Sequence, residues 1–183
     1  MVTQRGRRHN RCRLPPVRGP GVGCLVTGGQ SGVDRAATDV AVLLGIPYDG
    51  AVPRGGWAED YVVPPGVLVQ FPGFVELDSD DVAVRTAHNV DASDALLVLA
   101  LAGTTSPGTS LAVRRARQRG IPLSVLDLAD SSALTSLREF LEQLPDGCRL
   151  NVAGPRESEA PGIYERTRSA LLACADQLLG TPK

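Results

Sequence analysis

Residues 25–35 combine glycines, a hydroxyl and charged side chains at a spacing that suits the binding of an anion. A short apolar run stops at two glycines, and a helix-like pattern follows at once. A strand that turns into a helix through glycines gathers backbone N–H groups at the helix N-terminus, which favours phosphate. The predicted phosphate ligands of this turn are Gly28, Gly29, Gln30, Ser31 and Gly32. A tight turn in which Ser31 and Asp34 form a capping box is the alternative.

Two charged residues, Asp34 and Arg35, follow in the first turn of the predicted helix. Both are assigned to the same candidate site, because the first helical turn lies beside the glycines. The Arg35 side chain is either a phosphate ligand or a solvated surface charge.

A second loop, residues 103–109, crowds hydroxyl groups and glycines before another helical pattern. Gly108 and Thr109 stand near the predicted helix start, where hydroxyl and N–H groups suit phosphate oxygens. Capping of the helix by hydroxyls, with Pro107 in the first turn, is the alternative. Because so many donors share one turn, we favour the anion-binding interpretation.

The segment before the central apolar run carries charged and amide side chains at helical spacing. Arg85 and Asn89 lie four residues apart, and therefore on one face of a predicted helix, with Thr86 beside Arg85. A guanidinium on this face is a candidate bidentate ligand of an anion. Asp94 ends the segment and is assigned to the same site, although it also suits a cap or an ion pair. His88 is interpreted as a surface residue rather than a base.

A third loop follows an apolar run near the end of the chain and begins with Gly154, Pro155 and Arg156. Gly154 and Arg156 are candidate anion ligands, although Arg156 also has acidic neighbours with which it can pair. Trp57, the single tryptophan, lies in a glycine-flanked segment, where its ring either stacks on a planar ligand or covers the core. The sequence shows no arrangement typical of a metal site, a catalytic triad or a nucleophile elbow.

The composition narrows the class of protein. With 183 residues, 43% of them hydrophobic, the chain is long enough for one domain with a sizeable core, which we assign to residues 21–183. No apolar run approaches the roughly 20 residues of a membrane-spanning helix. The four cysteines are scattered without a C-x-x-C pair, so we expect reduced thiols in a cytoplasmic protein and no metal site.

Charge is distributed unevenly along the chain. Residues 1–20 hold six arginines and no acid. The whole chain has a net charge of −1, so the residues after this segment carry a net charge of −7. We expect the arginine-rich segment to be a disordered basic tail; a targeting arm or a nucleic-acid-associated regulatory module is the alternative. The acidic remainder argues against a broad nucleic-acid surface, so no nucleic-acid partner is expected and an anion site must be local.

Apolar runs alternate with amphipathic stretches along the chain, which predicts strands alternating with helices. The predicted strands cover residues 23–27, 49–52, 67–71, 95–101, 123–128 and 149–153. The predicted helices cover residues 31–44, 80–90, 109–119, 133–144 and 163–179. This alternation indicates an α/β fold with a mostly parallel sheet and helices on both faces. Ligands of such sheets bind beyond the carboxyl ends of the strands, where all three loops are expected to meet.

Several motifs in a fixed order resemble the circularly permuted molybdenum-cofactor carrier family, which is related to the lysine-decarboxylase-like Lonely-guy proteins. The resemblance spans about residues 22–180 and rests on the motifs at 27–36, 58–60, 85–90, 93–94, 108–109 and 150–156. It implies a Rossmann-like three-layer α/β/α sandwich that is circularly permuted. The strand that opens the unpermuted fold would be residues 150–153, close to the C-terminal end of the chain.

The resemblance also implies a ligand. The family name points to the molybdenum cofactor, whose molybdopterin has a planar pterin and a phosphate tail, as the molecule that is carried. The loops at residues 28–32 and 108–109 would take the phosphate, and Tyr48 or Trp57 would contact the ring. Related folds commonly form homo-oligomers, so the expected partners are a phosphorylated small molecule and further copies of the chain.

Relatives that hydrolyse the N-glycosidic bond of nucleotides place a catalytic glutamate in a Gly-Thr-x-x-Glu pattern. The corresponding segment here is Gly108-Thr109-Ser110-Leu111-Ala112, so an alanine stands where the resemblance places the carboxylate. A binding protein is therefore favoured over a nucleotide phosphoribohydrolase. Hydrolysis stays open as the alternative, in which Asp34, Glu59 or Asp60 supplies the missing acid.

Overall fold

The computed structural model describes residues 19–102, 104 and 106–180. The strands are β1 (Val22–Val26), β2 (Tyr48–Asp49), β3 (Ala51–Val52), β4 (Val75–Glu76), β5 (Ala95–Ala100), β6 (Leu123–Asp127) and β7 (Cys148–Ala153). The α-helices are α1 (Val33–Leu44), α2 (Val82–Asp91), α3 (Pro107–Arg119), α4 (Ala133–Glu142), α5 (Ile163–Leu172) and α6 (Ala175–Leu179). Nearly all of the expected basic tail, together with Gly103 and Thr105 of the second loop, lies outside the described residues.

The main sheet has the strand order β2-β1-β7-β5-β6, and every neighbouring pair is parallel. The strand that comes last in the chain, β7, therefore lies at the centre of the sheet between β1 and β5. When β7 is counted as the first strand, the order becomes 3-2-1-4-5, which is the order of a Rossmann sheet. This topology agrees with the expected circular permutation and with the strand predicted to open the unpermuted fold.

Helices cover both faces of the sheet. In β5, Leu97 and Leu99 pack into the larger core with residues of α1, α4, α5 and α6. The alternate side chains, Leu96 and Val98, pack into a second core with residues of α2 and α3. Successive side chains of a strand point to opposite faces, so a strand buried on both faces needs a helix layer on each side. The three-layer sandwich is therefore confirmed.

The predicted strand at residues 49–52 is divided into β2 and β3 by Gly50, whose φ is +143°. A Cβ on Gly50 would lie 1.9 Å from the carbonyl oxygen of Thr27, so the close approach of the two chain segments requires glycine. As a result β2 continues the main sheet beside β1, whereas β3 pairs with β4 in a small parallel sheet of its own.

The predicted strand at residues 67–71 is wrong, because Gly66–Val69 form a 3-10 helix. The apolar residues of this region bury their side chains in a small cluster apart from the main cores, formed by Val52, Ala58, Val67, Phe71 and Phe74. The predicted last helix is also divided, at Ala173 and Cys174, into α5 and α6. Within the described part of the chain, no helix has the length and hydrophobicity needed to span a bilayer.

Candidate functional site

A cleft of about 300 Å³ opens at the carboxyl ends of β1, β5 and β7. Because these strands are parallel neighbours, the loops that follow them meet at one edge of the sheet. The cleft also lies at the switch point of the fold, where the strand order reverses between β7 and β5. Ten of the predicted ligand residues line it: Gly28, Gln30, Asp34, Arg85, Thr86, Asn89, Gly108, Thr109, Gly154 and Arg156.

Arg85 and Asp34 form a largely buried ion pair in the cleft. Arg85 Nη1 lies 3.3 Å from Asp34 Oδ2, and the two side chains are 11% and 7% exposed. Burial raises the pKa of Asp34, although the charge of Arg85 and the backbone N–H groups of Gln30 and Gly28 oppose this shift. The Nε of Arg85 is buried and has no hydrogen-bond partner among the described residues. This N–H therefore lacks the partner that buried donors usually have.

The N–H groups of the glycine turn are already engaged within the protein. Asp34 Oδ2 accepts the N–H of Gly28 at 3.1 Å and that of Gln30 at 3.4 Å. The N–H of Ser31 donates to the side-chain oxygen of Gln30 at 3.2 Å. The Asp34 carboxylate of α1 thus occupies the turn. The expectation that the N–H groups of Gly28 and Gln30 are open to phosphate is therefore corrected. The alternative interpretation, a capping box of Ser31 and Asp34, is wrong as well, because Gly32 rather than Ser31 is the N-cap of α1.

The first turn of α3 borders the cleft from the loop that follows β5. The Oγ1 of Thr109 is buried and finds no hydrogen-bond partner in the part of the chain that is described. A Cβ on Gly108 would lie 3.7 Å from Ser106 Oγ, which is an ordinary van der Waals contact. The positive end of a 13-residue helix and an unpartnered hydroxyl together suit the oxygens of an anion.

Glu59 links three loops beside the cleft. Its carboxylate accepts the hydroxyl groups of Ser31 and Ser158, and also the N–H of Ser158 at 3.2 Å. Ser31 Oγ in turn accepts the N–H of Glu157 at 3.1 Å. Burial raises the pKa of Glu59, but the serine hydrogen bonds and the charge of Arg156 lower it more, so the net shift is downward. Glu59 is therefore an ionised link between loops rather than a proton donor.

Arg156 lies over the ring of Trp57, with its Cζ 5.4 Å from the ring centroid. Arg156 lines the cleft, whereas Trp57 is half-buried and does not belong to the lining. The backbone N–H of Arg156 donates to the carboxylate of Glu159 at 2.9 Å, and Glu159 also borders the cleft. The predicted ring-contact residue thus touches an arginine of the cleft rather than the cleft itself.

Four predicted ligand residues from the glycine turn lie outside the cleft lining: Gly29, Ser31, Gly32 and Arg35. Arg35 Nη1 pairs with Asp60 at 2.8 Å, and the guanidinium lies 4.9 Å from the centroid of the Tyr61 ring. A Cβ on Gly32 would lie 2.5 Å from the carbonyl oxygen of Pro155, so this glycine permits close packing of two loops. These residues shape the turn and do not line the cleft.

The polar side chains of Asn89 and Thr86 line the cleft but also have partners in the fold. The side-chain oxygen of Asn89 accepts the N–H of Ala51 at 2.6 Å, and its nitrogen donates to the carbonyl oxygen of Thr27 at 3.1 Å. Thr86 Oγ1 donates to the carbonyl oxygen of Val82 at 2.9 Å. Asn89 therefore joins β3, the end of β1 and α2, and its hydrogen bonds serve the fold.

Two predicted site residues lie away from the cleft. Asp94 precedes β5 and accepts the N–H of Arg149 at 2.9 Å, which places it at the amino-terminal edge of the sheet, opposite the cleft. The ring of Tyr48 packs edge-on against Phe74, with the centroids 5.4 Å apart, in the small apolar cluster. Neither residue is part of the cleft lining, and both make contacts that serve the fold.

The cleft also contains residues that were not among the predicted ligands: Val82, Ala83, Val90, Ser106, Pro107, Leu111, Ala112, Asn151, Ala153 and Glu159. Helical spacing could have predicted Val82, because it lies one turn before Arg85 on the same helix face. Glu159 was harder to predict, because it is one of several acids near Arg156 in the sequence. Among the described residues, no group of three His, Cys, Asp or Glu side chains is arranged to hold a metal ion.

The permuted Rossmann sheet with a polar cleft at its switch point defines an α/β protein of the Rossmann-like class. The chain belongs to the circularly permuted YpsA SLOG family, whose model matches residues 25–175. It is similar to a solved structure from Syntrophus aciditrophicus SB named "putative molybdenum carrier protein", with 31% sequence identity and a TM-score of 0.71. That match covers 85% of this chain and 96% of the other chain. A comparison with curated proteins gave no match.

Proposed function

We propose that this protein carries the molybdenum cofactor, or binds a related phosphorylated pterin or nucleotide, in the cleft between β5 and β7. The observation that carries the proposal is a pair of buried donors that lack partners among the described residues, Arg85 Nε and Thr109 Oγ1. They come from α2 and α3, and both residues line the same cleft. Four buried side-chain atoms of the described residues lack partners, and the two that border this cleft support a ligand there, since such groups are usually paired. The name of the similar solved structure supports the choice of ligand.

The proposed phosphate site consists of Arg85, Thr109 and the first turn of α3. A guanidinium provides charge-assisted hydrogen bonds to phosphate, and the helix N-terminus adds a favourable dipole. Pro107 has no N–H group, so the backbone donors of this turn begin at Gly108. The carboxylate of Asp34 offsets part of the Arg85 charge, so a bound phosphate competes with Asp34 for the same guanidinium.

A nucleotide phosphoribohydrolase is the second candidate function, and the observation that favours it is the carboxyl group of Asp34. Asp34 lines the cleft beside Arg85, and burial raises its pKa, as a general acid would require. Ala112, at the position where related hydrolases carry glutamate, also lines the cleft but brings only a methyl group. Glu59 is engaged by serine hydroxyls. Of the three acids considered, Asp34, Glu59 and Asp60, Asp34 is the one that lines the cleft, so the hydrolase candidate rests on it.

Thermal unfolding of the full chain tests the proposal with two probes, a pterin that bears a side-chain phosphate and GMP. Ligand bound to the folded state raises the unfolding midpoint, so both probes should stabilise the wild-type protein. The stabilisation should disappear in Arg85→Gln. It should persist in Arg115→Gln, a matched control at an arginine of α3 that pairs with Asp91 outside the cleft lining.

Chromatography of the GMP samples separates the two candidate functions. A carrier leaves GMP intact. Release of guanine and ribose 5-phosphate that is lost in Asp34→Asn would overturn the carrier proposal in favour of the hydrolase. If neither probe shifts the unfolding midpoint of the wild-type protein, the cleft does not bind phosphorylated pterins or nucleotides as proposed.

A further inference from the structure

The contact between Arg156 and Trp57 supplies a planar group to the cleft. The Arg156 Cζ lies 5.4 Å from the Trp57 ring centroid, which is within the range of a cation–π contact. Arg156 belongs to the loop after β7, whereas the proposed phosphate site lies on α2 and α3. A guanidinium that rests on an aromatic ring is planar and is held in a defined orientation. The cleft therefore has a second guanidinium apart from the proposed phosphate site.

Neighbouring loops hold Arg156 in this position. Its backbone N–H donates to Glu159, and the adjacent Ser158 is bound through its hydroxyl and its N–H to Glu59. Glu59 and Trp57 belong to the same short segment, so the segment that carries the aromatic ring also anchors the loop that carries the guanidinium. This double link favours a fixed stack over a freely moving surface arginine.

We propose that Arg156, supported by Trp57, determines specificity for a planar heteroaromatic ring by stacking its guanidinium on the ring of the bound ligand. The inference rests on the proposed function, in which the phosphate of the same ligand is bound by Arg85 and Thr109. Guanidinium planes are established stacking partners of nucleic-acid bases, which share this planar chemistry.

The composition of the cleft supports this role for Arg156. None of the described residues that line the cleft is aromatic, so a ring that binds there has no aromatic side chain on which to stack. The other guanidinium of the described lining belongs to Arg85, which is largely buried against Asp34. Arg156 is half-buried and retains access to the cleft.

The single tryptophan makes the stack observable by intrinsic fluorescence. GMP carries both a planar ring and a phosphate, whereas ribose 5-phosphate carries the phosphate without the ring. We expect GMP to change the emission of Trp57 and to bind about tenfold more tightly than ribose 5-phosphate, as a desolvated cation–π contact would give. Ribose 5-phosphate should bind without changing the emission.

Calorimetric titration of variants assigns the effect to Arg156. In Arg156→Gln, the affinity for GMP should fall by about tenfold to that of ribose 5-phosphate, whose own affinity should not change. Arg166→Gln is the matched control, because Arg166 is exposed on α5 and lies outside the cleft lining. Both affinities should stay at the wild-type values in this control.

The possible outcomes separate this inference from the proposed function. Equal affinity of the wild type and Arg156→Gln for GMP, with unchanged Trp57 emission, overturns the ring assignment but leaves phosphate binding intact. A fall in the affinity for ribose 5-phosphate in Arg156→Gln also overturns it, since Arg156 would then be a phosphate ligand. If neither compound binds the wild-type protein, the proposed function and this inference both fail.

Discussion

The guanidinium of Arg85 occupies the space that a side chain on Gly28 would need. A Cβ built on Gly28 would lie 1.4 Å from Arg85 Nη1 and 2.8 Å from Asp34 Oδ2. Gly28 is not among the glycines with positive φ, so the requirement for glycine is steric rather than conformational. The first glycine of the turn therefore makes room for an ion pair.

Gly28→Ala should destabilise the protein and weaken ligand binding together, because the added methyl group displaces the Arg85 guanidinium. Overpacking of this kind costs about 1–3 kcal/mol of the free energy of unfolding. Urea unfolding and a GMP titration of the same preparation measure the two effects. An alanine variant with wild-type stability and affinity would show that the Arg85 guanidinium is not held in this space.

Asp34 and Arg85 should be strongly coupled in a double-mutant cycle. Arg85→Gln alone leaves the Asp34 carboxylate buried without its counter-charge, which should cost about 3 kcal/mol of the free energy of unfolding. Asp34→Asn combined with Arg85→Gln should recover much of this loss, because no isolated charge remains. Urea unfolding of the four proteins gives the coupling energy, and additive single effects would argue against the pair.

Asn89→Ala should be among the more destabilising substitutions at the cleft. It removes three hydrogen bonds to the backbone of Ala51 and Thr27 and leaves buried groups unpaired, at a cost of about 3 kcal/mol. Gln143→Ala, at the exposed C-cap of α4, is the control and should change stability little. If the two variants unfold at the same urea concentration, Asn89 does not link β3 to β1.

The stability contributed by Glu59 should depend on pH. The folded state lowers the pKa of Glu59 below its ordinary value of 4.5, so the ionised carboxylate stabilises the fold above that pH. This contribution is lost as the pH falls through the lowered pKa. The stability gap between wild type and Glu59→Gln should therefore be largest near neutral pH and should close in acid.

Urea unfolding between pH 7 and pH 3 measures this gap. Glu139→Gln, at an exposed position of α4, is the reference for removing one surface carboxylate. A gap for Glu59→Gln that stays constant over this range, or that widens in acid, would contradict the assignment of Glu59 as an ionised link between loops.

The position of the cleft follows from patterns that are local in the sequence. Alternating strand and helix periods imply parallel strands, and parallel strands bring the loops before α1 and α3 to one edge. The same rule also explains the error at Asp94: a residue that precedes β5 lies at the amino-terminal edge. The direction of the chain alone would have excluded Asp94 from the site.

The contacts inside the cleft depend on residues that are far apart in the sequence. The rotation of α1 turns Asp34 back toward the N–H groups of Gly28 and Gln30, which no local pattern reveals. The cation–π contact of Arg156 with Trp57 depends on the fold of two separate loops. The types of polar group in the cleft were therefore predictable from the sequence, but their partners required the three-dimensional structure.

Calorimetric titration of the wild type and Gly108→Ala with a pterin phosphate tests the central claim most directly. A Cβ on Gly108 would make only ordinary van der Waals contacts, with Ser106 Oγ at 3.7 Å and Thr86 Oγ1 at 3.9 Å, so the variant should fold. Alanine is also favoured over glycine in a helix by up to about 1 kcal/mol, so stability should not fall. We predict 1:1 binding by the wild type and affinity weaker by about tenfold or more in the variant, since the methyl group enters the proposed phosphate site. Equal affinity of the two proteins would contradict phosphate binding at the start of α3.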